Sequence, residues 1–447
     1  MFVTRYFVFL LFLLNSGCFL LGPTYTKPQM KIPLKWPVER GIKVNEDMNL
    51  PCLLWWKQFD SPELNQLIIN ALKKNGDPNI ALANIKYAQS QLQQIQLSWI
   101  PNMTLLAGYS QFPILGNPGS FVIAFPLYAI NLIQQYKQQQ SAAAKLEASF
   151  YARDGVKLSI ITQVSAAFFT LLAQKEALIL YRTLLEDYRT YLQLVKNQYE
   201  NGLIPQDTIN QLESQIQQTQ AQVEISKHNI VVSKNALHYL LNQNPGNLEI
   251  KKTFGAINTD RVIPTNLPVR VLNNRPDIHQ AEVLLKAANA DVGASVATFL
   301  PSITLGAYLG SGSSVGGIKL PESYLSAPVI DFPVLAQIKA TKASYKVQYI
   351  KYIVAVRAAL RDVANDLSAY TTYRKKLNDN LAALASKKQG CHLVKKRYQH
   401  GLGDQIEVIQ CQINIDQFNV IINKSKLEKM MAIIKLYQDL GGGFNAV

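Results

Sequence analysis

Two long reaches of this chain hold no proline and almost no glycine. No proline lies between Pro126 and Pro205, none follows Pro333, and Gly155 is the only glycine from Ser120 to Asn201. Without these residues to break them, helices from Lys145 to Glu200 and from Ala336 to His400 would run about 84 Å and about 98 Å at ~1.5 Å per residue. Helices of that length need partners along their whole length, as in a coiled coil or helical tube, and do not suit a compact enzyme. Catalytic signatures are missing as well. Ser, His and Asp are scattered without a nucleophile-elbow motif, and no Gly-rich phosphate loop ends in Lys-Ser/Thr. The chain reads as a non-enzyme with no cofactor. Histidine is scarce, five in all, and none stands at helix-neighbour spacing with another His or Cys, so no metal site is expected. Beyond Cys18, the cysteines Cys52, Cys391 and Cys411 are odd in number and irregularly spaced, which predicts no disulfide framework. The net charge of +15 comes from dispersed Lys and Arg, a solvated basic surface rather than a nucleic-acid site. After residue 17 no wholly apolar run long enough to span a bilayer remains, so no transmembrane helix is expected.

The N-terminus does carry a signal. Arg5 precedes an apolar run from Tyr6 to Leu14, and Ser16-Gly17 stand before Cys18. This order matches a secretory signal peptide over residues 1–17. A cysteine directly after the cleavage point predicts lipidation of Cys18, followed by an N-terminal extension over residues 18–54. Asn15 stands where Leu is usual in such signals. Phe19, not Asp, follows the cysteine, which permits outer-membrane sorting.

The remainder is duplicated. Trp99-Ile100-Pro101-Asn102-Met103-Thr104-Leu105 returns as Phe299-Leu300-Pro301-Ser302-Ile303-Thr304-Leu305, and Tyr199-Glu200-Asn201-Gly202-Leu203 returns as Tyr398-Gln399-His400-Gly401-Leu402. A repeat this long is a whole structural unit used twice, dividing the chain into repeats over 55–250 and 251–447. After Gly202, Ile209, Leu212, Ile216, Thr219, Val223, Ser226, Ile230, Ser233, Leu237 and Leu240 alternate three- and four-residue steps, a heptad seam. Its copy runs through Val408, Cys411, Ile415, Phe418, Ile422 and Ser425 until Lys429 breaks the apolar pattern. Cys411 thus reads as a small buried hydrophobe of the seam.

Between the helices, Tyr87 to Tyr136 and Val292 to Ile318 contain no charged residue. Ser302 to Leu309 alternates polar and apolar residues, the period of a two-faced strand. Met103–Phe112, Phe121–Tyr128 and Tyr324–Ile330 are weaker strand candidates, joined by the Gly/Pro/Ser-rich stretches 113–120 and 310–321. A charge-free, two-faced strand in an exported protein suggests a transmembrane β-barrel. Four strands cannot close one, because the smallest have about eight and open edges are not tolerated in lipid. As a barrel, the strands must then be shared among copies of the chain; the alternative is a soluble sheet cap at the end of a coiled coil.

Several pieces together resemble the TolC-like outer-membrane efflux family, in its lipoprotein branch that works with resistance-nodulation-division pumps. They are Cys18 with Gly22-Pro23-Thr24-Tyr25, Trp55-Trp56-Lys57-Gln58-Phe59-Asp60-Ser61-Pro62-Glu63-Leu64, Leu267-Pro268, Arg275-Pro276-Asp277-Ile278 with Ala281-Glu282, and Leu436-Tyr437-Gln438-Asp439-Leu440-Gly441-Gly442-Gly443. The resemblance implies a mixed α and β fold: a homotrimer with a shared twelve-strand barrel in the outer membrane and a long α-helical barrel in the periplasm. It departs at Asn131-Leu132-Ile133-Gln134-Gln135 and Asp331-Phe332-Pro333-Val334, where the strands lead back into helices. The implied function is a passive exit duct for drugs or small molecules, served by a periplasmic adaptor and an inner-membrane pump. The rival expectations are a type I protein-secretion channel and a non-conducting coiled-coil scaffold.

For the site, the resemblance points to the helix turns. Gly202-Leu203 and Gly401-Leu402 correspond to the family's periplasmic tips, where the adaptor is expected to dock. Asp207 and Asp404 follow each turn and are candidate rings of a pore constriction, with Asp404 expected to face the pore and Asp207 the helix terminus. The competing reading makes both acids partners of the positive helix N-terminus. Arg275 and Asp277 beside Pro276 are assigned a structural role at a helix start.

Overall fold

The computed structural model describes residues 24–33, 36, 50–110, 119–257, 273–312, 315–326 and 331–445. Cys18, Gly22-Pro23 and Leu267-Pro268 lie outside the described residues. The first repeat holds α1 (Pro62–Lys74), α2 (Gly76–Leu97), β1 (Asn102–Ser110), β2 (Gly119–Ile130), α3 (Leu132–Glu200) and α4 (Gln206–Leu240). The second holds α5 (Pro276–Ala297), β3 (Ser302–Gly312), β4 (Val315–Ser326), α6 (Phe332–Gln399) and α7 (Gln405–Asp439). The duplication is structural: α2 and α5 are both 22 residues long, α3 and α6 are 69 and 68, and α4 and α7 are both 35.

Two compact units emerge, and each draws on both repeats. One comprises residues 1–31, 80–153 and 276–357; the other comprises 32–79, 154–275 and 358–447. In the first unit, β1 to β4 form one antiparallel sheet in sequence order, leaving β1 and β4 as its two edges. Strands of 9 to 12 residues match the ~9–11 residues a tilted strand needs to cross a bilayer. Met103, Leu105 and Tyr109 recur at period two on β1 and are all exposed. Proline sits where the ladder falters. The β2–β3 pairing skips Pro126, and Pro321 falls at the register shift opposite Gly306 to Tyr308. A residue without an N–H donor belongs at such interruptions.

The fourth strand corrects the sequence expectation. Strand Val315–Ser326 begins well before the expected Tyr324, and residues 327–330 lie outside the described residues, so most of the stretch taken as a linker is strand and carries Lys319 and Glu322. Its glycines hid the strand, whose first residue Val315 pairs with Gly312. The strand-to-helix junctions, where the chain departs from the family pattern, are equivalent caps. Asn131 Oδ1 accepts from Gln134 N at 3.0 Å and Asp331 Oδ1 from Val334 N at 3.1 Å. Each side chain satisfies an N–H that the first helical turn leaves open.

The second unit holds the largest core. Ser61 caps α1 through Leu64 N at 3.3 Å, and Leu64, Leu67, Ile68 and Ala71 turn one face inward. They join Trp55, Trp56 and Phe59 against Ile160, Val164, Phe168 and Phe169 of α3. Part of α3 is apolar enough to cross a membrane by composition, with a mean hydropathy of 1.6 over its best window. That overturns the expectation that no such helix would be found. The window is 61% buried inside the chain, as for a core helix. The C-terminal glycines close onto the tryptophans. Trp55 stacks on Tyr437 at 4.8 Å and its Nε1 donates to Gly442 O at 3.2 Å. Gly441 adopts φ 74, and a Cβ there would lie 2.6 Å from Asn274 O, so only glycine fits. Arg275 donates to Asp439 O at 2.7 Å, giving it the structural role expected, though by tying the end of α7 rather than by starting α5.

Candidate functional site

The two turns are backbone copies of each other. Gly202 and Gly401 both have φ 71. Gly202 N donates to Tyr199 O and Leu203 N to Gln198 O; Gly401 N donates to Tyr398 O and Leu402 N to Arg397 O. This paired pattern ends a helix with a left-handed residue and meets its last carbonyls. Leu203 and Leu402 project into solvent, 72% and 76% exposed. A turn that needs neither leucine for its own folding presents both to whatever approaches.

The acids behave differently from expectation. Asp404 is the N-cap of α7: its Oδ1 accepts from Ile406 N and its Oδ2 from Gln198 Nε2, each at 3.1 Å. At α4 the cap position belongs to Pro205, which offers no side-chain acceptor. Asp207, one turn position later, reaches only its neighbour Thr208 N at 2.9 Å. Of the two acids only Asp404 stands at the residue preceding its helix, so the capping role expected of Asp207 belongs to Asp404.

The seams behind the turns follow the heptads. Ile209, Leu212, Thr219, Val223, Ser226, Ser233, Leu237 and Leu240 of α4 are buried. Lys429, expected to break the copy, is itself buried and occupies the place of Ile230 in the seam. A larger correction concerns the cysteines. Cys391 of α6 and Cys411 of α7 form a disulfide with Cα atoms 5.3 Å apart. The odd cysteine count hid this pair, since Cys52 is free and the turn at Gly401, ten residues from each, brings Cys391 and Cys411 to facing positions.

A second seam, between α3 and α7, has no signal in the sequence. Gln410 donates to Tyr191 Oη, Gln417 donates to Tyr188 Oη at 2.7 Å, and Asn423 donates to Ala173 O at 2.9 Å. Asp187 of α3 faces Asp416 of α7, and burial together with a hydrogen bond and repulsion from Asp416 raises its pKa to about 7. Asp416 also accepts from Gln412 and Asn419. Polar side chains from repeats far apart in sequence thus line one seam, and periodicity says nothing about them. No group of His, Cys, Asp and Glu suited to a metal occurs among the described residues.

A duplicated assembly of long helices that carries a sheet with two open edges defines a channel protomer. The family described as outer membrane efflux protein matches residues 67–243 and 267–442. Nodulation protein T of Rhizobium leguminosarum bv. trifolii is 25% identical over 99% of this chain and 98% of its own length. The solvent efflux pump outer membrane protein SrpC of Pseudomonas putida is 26% identical over 97% of each chain. Among solved structures, the outer-membrane channel OprN superimposes with a TM-score of 0.82 at 22% identity, covering 95% of this chain and 100% of its own. The chain belongs to the outer membrane efflux protein family. It is an efflux channel of the outer membrane.

Proposed function

We propose that three copies of this chain form the exit duct of a tripartite efflux system. The observation that carries the reading is the sheet. β1 and β4 each leave one edge unpaired within the chain, and open edges have no place in hydrocarbon. Three four-stranded sheets joined edge to edge give twelve strands and a closed barrel. The exposed, alternating apolar residues of β1 suit its lipid-facing side. The duct is passive, and its cargo is drugs or other small molecules handed over by an inner-membrane pump. Cys18, freed by removal of residues 1–17, anchors the N-terminus in the outer-membrane lipid. The two repeats act as the domains of this assembly.

Leu203 and Leu402 are the docking points for a periplasmic adaptor: each is an exposed apolar side chain beside a rigid glycine turn. Asp404 and Asp207 supply acidic rings at the narrow end, and Asp404 serves as helix cap and constriction at once. Native mass spectrometry in detergent should give three copies, and purified protein in planar bilayers should conduct. A stable monomer with its full strand content, or a trimer that never conducts, would sink the reading. Asp404→Ala should raise basal conductance and weaken block by divalent cations while the trimer persists.

A further inference from the structure

We infer that the Cys391–Cys411 disulfide is a redox-dependent clasp that reinforces the second helical hairpin where its packing is thinner than in the first. The clasp sits symmetrically. Each cysteine is ten residues from Gly401, about 15 Å along its helix. The 199-residue offset pairs Cys391 with Leu192 and Cys411 with Leu212, and both leucines belong to the apolar cluster of the first hairpin. Around the cysteines the second hairpin has lost bulk: Gly390 stands for Tyr191 and Lys387 for Tyr188. Gly390 meets no neighbouring atom within 4 Å of the place a Cβ would occupy. A helix-interior glycine weakens α6 at the point where the bridge holds it. Cys391 is buried and Cys411 partly so, which slows attack by a thiolate on the closed bridge.

Closing the clasp removes two protons and two electrons from the two thiols. They pass to a disulfide-bearing oxidant of the exported compartment, which becomes a dithiol by thiol–disulfide exchange. The opened form would leave Leu402 on a loosened turn. The inference rests on the proposed export of the chain to an oxidising compartment. Its test reads the hairpin itself rather than transport, so the two can fail separately.

The experiment is hydrogen exchange on the full-length protein purified in detergent, with and without dithiothreitol, beside non-reduced peptide mass spectrometry. The peptides holding Cys391 and Cys411 should be linked. Reduction should speed exchange of amides 388–414 about tenfold or more and leave amides 189–215 unchanged. A variant with Cys391→Leu and Cys411→Leu, which places leucine at the two bridge positions as Leu192 and Leu212 do in the first hairpin, should show the same exchange with or without reductant. Two free, alkylatable thiols in protein from cells, or equal exchange in both redox states, would overturn the clasp. Sensitivity of the leucine variant to reductant would overturn it too.

Discussion

In the first hairpin, Tyr188, Tyr191 and Leu192 of α3 share an apolar cluster with Ile209, Leu212 and Ile216 of α4. In the second, Lys387, Gly390 and Cys391 occupy the places of the first three. Lys387 lies over the Phe418 ring at 4.7 Å, so the aromatic has moved to the opposite helix, where the first repeat has Thr219. Charge pairs close both: Lys196 meets Glu213 at 3.2 Å in one hairpin, and Arg397 meets Glu407 in the other. The turns themselves did not diverge, since both glycines keep φ 71. Backbone geometry is thus the shared demand of the two hairpins: the first meets it by burial alone, and the second by the cluster of Leu377, Leu384, Ile415 and Ile422 together with a covalent bond. An exposed turn tolerates few conformations, whereas a seam accepts any chemistry that holds its helices at one distance.

The largest effect should come from Leu212→Ala. Leu212 is buried at the centre of the first cluster, and the substitution should cost about 2–3 kcal/mol. Hydrogen exchange should show the loss in α3, α4 and the start of α7, whose Ile406, Ile409 and Ile413 share the cluster. If α6 loosens equally, the loss is not confined to the cluster and the comparison fails. The α3–α7 seam should come next, through pH. The pKa of Asp187, raised to about 7 by burial and by Asp416, exceeds the ordinary carboxylate value. Its contribution is therefore complete below pH ~4 and is lost as pH rises through about 7. Lys395 opposes the shift. Amides 183–191 and 412–420 should exchange faster at pH 8 than at pH 5 after correction for intrinsic rates. Asp187→Asn should abolish the difference, and persistence of the difference would assign it to another group.

Smaller effects bear on the turns. Gly202→Ala and Gly401→Ala should each cost about 1 kcal/mol. The added Cβ meets nothing within 4 Å at either site, so only the left-handed backbone opposes it. Unequal losses, read as thermal midpoints of the single variants, would show that the turns are copies in geometry but not in load. The smallest difference lies between the acids. Asp404→Ala removes a cap and should cost about 1 kcal/mol. Asp207→Ala, at an uncapped start, should cost no more than a few tenths. Equal costs would restore the expectation that both acids serve their helices alike.

The long helices, the duplication and the α4 seam were legible because proline absence and heptad spacing are local, periodic signals. β4 was not, since Val315-Gly316-Gly317 reads as a linker until its partner Gly310-Ser311-Gly312 is known. The turns could be located from glycine and from the repeat. Which acid caps its helix depended on two residues of register: Asp404 immediately precedes α7, whereas Asp207 is the second residue inside α4. The disulfide required seeing that Cys391 and Cys411 stand ten residues either side of Gly401, and a count of three concealed it. The α3–α7 seam joins residues such as Gln417 and Tyr188, 229 positions apart, and no spacing rule connects them.

The single covalent bridge also sets a counting rule. In the proposed trimer, three chains with two hairpins each place six similar turns around one ring. Only alternate turns carry a disulfide, so the ring has six positions but threefold symmetry. A partner that docks in three copies can choose one kind of turn and ignore the other. A partner that docks in six must meet two non-equivalent seats. Its binding curve would then show two classes of three, and reduction of the bridge should change one class and leave the other as it was.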